Sequence, residues 1–109
     1  MNLNLILKAL GEPMRLSIFQ ALLERKHCVR SLSKRFGISE SAISQHLKIM
    51  READLVFGKK YSYHTHYFPQ QEALDFLIQE FSKMKDKPSS CEEAREACNC
   101  EYRKEDKES

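Results

Sequence analysis

The run VRSLSKRFGISESAISQHLKIMREAD, Val29 to Asp54, decides how the rest of the chain is read. Val29, Leu32 and Phe36 recur at i, i+3 and i+7, the spacing of one apolar helical face. Gly37 stops that helix by supplying the left-handed backbone that a tight exit needs. Ile38 is a plug for the angle between two helices. Ser39 is a suitable N-cap for a second helix, because its hydroxyl can accept a first-turn N–H.

The second helix, Glu40 to Ala53, has two unlike sides. Ile43, Leu47 and Met50 line one, widened by Ala42, Ile49 and Ala53. Ser41, Ser44, Gln45, Lys48 and Glu52 fall on the other. Short hydroxyls, an amide and a cation are the groups that enter a major groove: Ser and Gln bond base edges, and Lys bonds a base or a phosphate. Helix, Gly-containing turn and polar-faced helix together form a helix-turn-helix pattern. A solvated polar face would have the same residue types, so the flanking charge matters. From Arg25 to Lys60 there are nine cations against three anions, a net of +6, within a chain whose overall charge is +2. From Lys87 to Ser109 five cations meet seven anions, a net of −2. The positive charge gathers on the motif, as a phosphate-contacting surface requires.

At 109 residues with 41% hydrophobic content, the chain makes one domain with a core. No run approaches the roughly 20 apolar residues of a membrane span, and no small-residue cleavage site follows the N-terminus. A cytoplasmic location is therefore expected, with the four cysteines as thiols. A thiol enzyme would need a cysteine with a base and a pocket. No such constellation is visible, so the chain is not read as an enzyme.

Towards the N-terminus, Leu3, Ile6 and Leu10 predict a short helix over Asn2–Leu10, closed by Gly11. Pro13 suits the first turn of the next helix, which runs to Arg25 and is apolar over a wide arc. Arg15 is its polar exception, read as a surface or ion-pairing residue. Lys26, His27 and Cys28 form a link. After the motif the period becomes strand-like, with Leu55–Lys59 and Tyr63–Phe68 as a hairpin whose tip lies near Lys60–Ser62. Lys59 and Lys60 near that tip are candidate phosphate contacts. The last helix, Gln70 to Lys85, carries Leu74, Leu77, Ile78, Phe81 and Met84. So small a domain can scarcely bury both this stripe and Leu3–Ile6–Leu10. The expectation is a homodimer that covers Leu3, Ile6, Leu10, Leu74, Leu77, Ile78 and Phe81. Residues 1–86 form the domain, and residues 87–109 a polar, cysteine-containing tail.

These pieces resemble the ArsR/SmtB-type winged helix-turn-helix repressors of bacteria and archaea. The resemblance rests on LKALGEPMRLSI (Leu7–Ile18), SESAISQHLKIMREADLV (Ser39–Val56) and the aromatic wing. It implies a mainly α domain with a small hairpin, ordered α-α-α-α-β-β-α. It also implies a homodimer joined through first and last helices, and repression by binding double-stranded operator DNA. Ser41, Ser44, Gln45, Lys48, Lys59 and Lys60 would hold an inverted repeat. His46, in the family's S-x-H-L position, falls at the edge of the apolar side and reads as a structural hydrogen-bonding residue.

Many members of that family release DNA on binding a metal or metalloid. Their C-V-C pair is here Cys28-Val29-Arg30, missing one thiol, and the last helix offers Glu72, Asp75 and Glu80 but no histidine. Cys91, Cys98 and Cys100 remain as a candidate thiolate site for As(III), Sb(III), Cd or Zn as inducer. In one straight helix Cys91 and Cys98 would be about 10 Å apart, too far to share a metal at about 2.3 Å from each sulfur. The helix must then break, or both subunits contribute. A redox-responsive tail, a regulator without an inducer, and a winged-helix interaction module without DNA binding remain alternatives.

Overall fold

A computed structural model describes residues 1–86. Two compact units divide at the last helix, Met1–Ile78 and one beginning at Gln79. The first unit contains α1 (Leu3–Leu10), α2 (Pro13–Glu24), β1 (His27–Cys28), α3 (Val29–Phe36), α4 (Glu40–Glu52), β2 (Val56–Tyr61) and β3 (His64–Pro69). The final helix, α5 (Gln71–Asp86), begins in the first unit and ends in the second.

Local chemistry sets each boundary. Asn2 caps α1 by accepting the Leu5 N–H at 3.1 Å. The Glu12 carboxylate accepts the Arg15 N–H at 2.9 Å at the start of α2, where Pro13 has no N–H to leave unpaired. The turn between α3 and α4 holds Gly37 at φ +68°, a left-handed conformation that costs glycine little. Ser39 then accepts the Ala42 N–H at 3.0 Å.

The core of the first unit is fully apolar at its centre: Ile6, Ile18, Leu22, Leu32, Ile43, Leu47, Met50 and Leu55 are all buried. Every helix and the base of the hairpin send at least one residue into it. This corrects one expectation. Ile6 is 0% exposed and Leu77 is 9% exposed, so both fill their own chain's core and leave a partner little to cover. Leu3, Leu10 and Leu74 pack partly against the same core. The outward apolar residues of α1 are Leu5 and Leu7, and Ile78 of α5 is 64% exposed. In the second unit Phe81 and Met84 are exposed, and Lys83 pairs with Glu80 at 3.1 Å.

The sheet is antiparallel in the order β1-β3-β2. The link His27–Cys28 is in fact a two-residue strand, with His27 opposite Tyr67 and Cys28 opposite His66. The hairpin pairs Lys59 with His66, Lys60 with Thr65 and Tyr61 with His64. The tip is therefore Ser62–Tyr63, with Ser62 at φ +59°. Lys60, read as part of the tip, joins Lys59 inside β2, because pairing continues to Tyr61. Successive strand residues alternate faces, so Lys59 shares a side with Phe57 and Tyr61, and Lys60 with Gly58. Gly58 has no room for more: a Cβ there would meet Thr65 Cγ2 at 2.9 Å and Tyr67 Cε1 at 3.1 Å.

Candidate nucleic-acid interface

The helix pair packs through α3 against α4. Ile43, Leu47 and Met50 are buried at 0%, 1% and 0% exposure, which fixes the opposite side of α4 outward. Ser41, Ser44, Gln45 and Lys48 are all exposed there. Their spacing of three and four residues makes them neighbours along one ridge. Arg51 is also exposed, and Ile49, placed with the apolar side by its spacing, is 41% exposed.

The turn that sets the angle between the two helices is tied from within. Ser33 Oγ donates to the Ile38 carbonyl at 2.6 Å, across the turn. The Gly37 N–H returns to the Ser33 carbonyl at 2.9 Å, closing α3.

The wing carries its own packing. Phe57 and Phe68 stack with ring centroids 5.3 Å apart, an offset aromatic pair on one face. Lys26 lies 5.8 Å from the Tyr61 ring centre, within cation–π range. Tyr63 is 93% exposed at the tip, just outside β3, whereas the sequence reading begins the strand with it. Its position in a two-residue turn is the signal that separates it from Tyr67, which packs against the core.

Cys28 and His27 lie where β1 runs into α3. Cys28 is the N-cap residue of α3 and makes no side-chain capping bond. Burial pushes its thiol up, but nearby backbone N–H groups, those of Ser31 and Arg30 among them, outweigh this and hold it below its ordinary value. His27 is buried, with Nδ1 2.9 Å from Ser31 Oγ. That hydroxyl donates to the Cys28 carbonyl at 3.1 Å. Its single proton is therefore committed, so Nδ1 is the donor to it. Nε2 is buried and has no partner among the described residues. Burial first, then the charges of Arg25 and Arg35, push the His27 pKa down.

Arg15 is not a fully exposed surface residue, and among the described residues it forms no ion pair. It is half-buried, its Nε donates to the Ala9 carbonyl at 2.7 Å, and its Nη1 lies 3.3 Å from His46 Nδ1. Spacing along the chain cannot reveal this partner, which is 31 residues away.

Among the described residues no group of three or more His, Cys, Asp or Glu comes together to hold a metal. Cys91, Cys98 and Cys100 lie outside the described residues. Among those described, no helix is long and apolar enough to cross a membrane.

Comparison with known proteins agrees with this geometry. A family model for bacterial regulatory proteins of the arsR family matches residues 12–57, from the cap of α2 into β2. The chain is 34% identical over 74 residues to the arsenical resistance operon repressor of Bacillus subtilis, covering 67% of this chain and 70% of that one. It is 36% identical over 55 residues to the HTH-type transcriptional repressor SmtB of Mycobacterium tuberculosis, spanning 50% of this chain and 41% of that relative's length. Among solved structures, a possible transcriptional regulator for arsenical resistance matches with a TM-score of 0.66 and 32% identity, over 74% of this chain and 84% of the other. HlyU from Vibrio cholerae matches with a TM-score of 0.62 and 30% identity, over 76% and 90%. The fold is a winged helix-turn-helix, and the chain belongs to the arsR family of bacterial regulatory proteins.

Proposed function

We propose that this chain is a transcriptional repressor that binds operator DNA as a homodimer, with α4 in the major groove. The observation that carries the reading is the exposed ridge of Ser41, Ser44, Gln45 and Lys48, held outward by a buried apolar side. Ser44 and Gln45 bond base edges, and Lys48 bonds a base or a phosphate. Lys59 and Lys60 reach the backbone from the two faces of β2, with Tyr63 at the tip beside them. The exposed Leu5, Leu7 and Ile78 of the first unit are apolar surface that a second copy covers, and the exposed Phe81 of the second unit is covered by that copy too. A two-fold dimer then selects an inverted repeat with half-sites about one helical turn, or a multiple of it, apart.

The direct test is a titration of the full chain against its own upstream DNA at several salt concentrations. Sequence-selective binding whose affinity falls steeply with salt supports the reading. Equal affinity for any duplex, or none, contradicts it.

The inducer we propose is a thiophilic ion held by Cys91, Cys98 and Cys100. The arsenical-resistance names of relatives and the gathering of three thiols after residue 90 support this. Release of bound DNA by arsenite or Cd²⁺ in the wild type, lost when all three cysteines become serine, tests it. Release that persists in the triple variant removes these cysteines from sensing.

A further inference from the structure

We propose that Arg15 and His46 are positioning residues for base reading: their contact sets the roll of α4 about its own axis. The inference rests on the DNA-reading function proposed above.

Arg15 joins three elements. It stands on α2, its Nε donates to the Ala9 carbonyl in the last turn of α1 at 2.7 Å, and its Nη1 reaches His46 Nδ1 on α4 at 3.3 Å. Arginine has donors and no acceptor, so Nδ1 accepts and the ring proton of His46 sits on Nε2. The guanidinium is half-buried and pairs with no carboxylate among the described residues. A half-buried cation spent on a neutral ring and a helix-end carbonyl contributes direction rather than charge neutralisation.

Among the described residues no other side chain of α4 makes a hydrogen bond to another helix. Ile43, Leu47 and Met50 hold the helix by apolar burial, which is non-directional. His46 lies at the flank between this buried side and the exposed ridge, one residue from Gln45 and one from Leu47. Side-chain tips lie about 5–6 Å from a helix axis, so a roll of about 20° moves each tip by about 2 Å. Base-edge hydrogen bonds hold over a few tenths of an ångström, so that roll breaks them. Contacts to phosphates through long lysine stems survive it. Loss of the Arg15–His46 contact therefore lowers discrimination between sequences and leaves general duplex affinity in place.

The test uses the full chain. Wild-type protein first selects its target from a random duplex pool. H46L, R15M, the double variant and H46N are then titrated against that target and an unrelated duplex at one salt concentration, with thermal unfolding alongside. Asparagine keeps an acceptor, Oδ1, close to where histidine has Nδ1.

H46L and R15M should each lose roughly tenfold in target affinity, the size of one hydrogen bond to a charged group. Affinity for the unrelated duplex should hold, the double variant should lose no more than either single one, and H46N should recover most of the loss. Unchanged target affinity, additive losses or equal losses on both duplexes would overturn the inference. So would an unfolded H46L beside a native H46N, which would assign the contact to the fold alone. If the wild type selects no sequence, the DNA-reading function itself fails, and this inference with it.

Discussion

Ser33 Oγ donates to the carbonyl oxygen of Ile38 at 2.6 Å, so the last turn of α3 grips the residue that enters α4. The bond spans the helix-turn-helix corner, from α3 to the residue before the N-cap of α4. Ser33→Ala leaves that carbonyl without its partner and should cost about 1 kcal/mol of stability, read as a lower midpoint in urea with an unchanged slope. An unchanged midpoint would show that water replaces the hydroxyl without loss.

Gly37 sits beside that bond at φ +68°, and a Cβ added there meets nothing within 4 Å. The cost of Gly37→Ala is therefore backbone strain alone, about 1–2 kcal/mol. Gly37→Asn should cost less, since asparagine tolerates this conformation better. Equal losses for the two variants would place the cost somewhere other than the backbone.

His27 gives the fold a pH dependence with a definite sign. Its folded pKa is pushed below the ordinary 6.5, so the unfolded chain takes up the proton first as pH falls. The stabilising contribution is whole above about 6.5 and is lost as pH drops through that value towards the folded pKa. Urea midpoints at pH 7.5 and 5.5 should diverge more in wild type than in His27→Gln. Parallel behaviour of the two proteins would exclude His27 as the source.

Ile78 is 64% exposed and Leu5 is 46% exposed, which is a poor outcome for a chain alone in water. Ile78→Glu should leave the monomer fold intact and shift the dimer equilibrium towards monomer by at least tenfold, a change of about 1.4 kcal/mol. Sedimentation over a range of concentrations reads it. A wild type that stays monomeric, or a variant that still dimerises as tightly, removes this surface from assembly.

The helix-turn-helix corner is legible because its signals are local. Gly37, Ser39 and the spacing of Val29, Leu32 and Phe36 act within a few residues, and the observed caps agree with them. Features that need a partner far along the chain are not legible. His27–Cys28 is a strand because β3 lies beside it, and two residues have no period to read. Ile6 has the spacing of an apolar face, but spacing cannot say whether the cover is the same chain or another copy. Arg15 carries no mark of His46. Lys60 reads as part of a tip, and only the pairing of Tyr61 with His64 moves it into the strand beside Lys59.

The central claim is that the outward ridge of α4 reads bases while the wing holds the backbone. The most direct measurement compares Gln45→Ala and Lys60→Ala with wild type on a target duplex and its single-base variants, at several salt concentrations. Gln45→Ala should erase a preference worth about 1–3 kcal/mol at one base position. Lys60→Ala should weaken every sequence alike and reduce the salt slope by about one. Losses for Gln45→Ala that are uniform across all base variants would contradict the account.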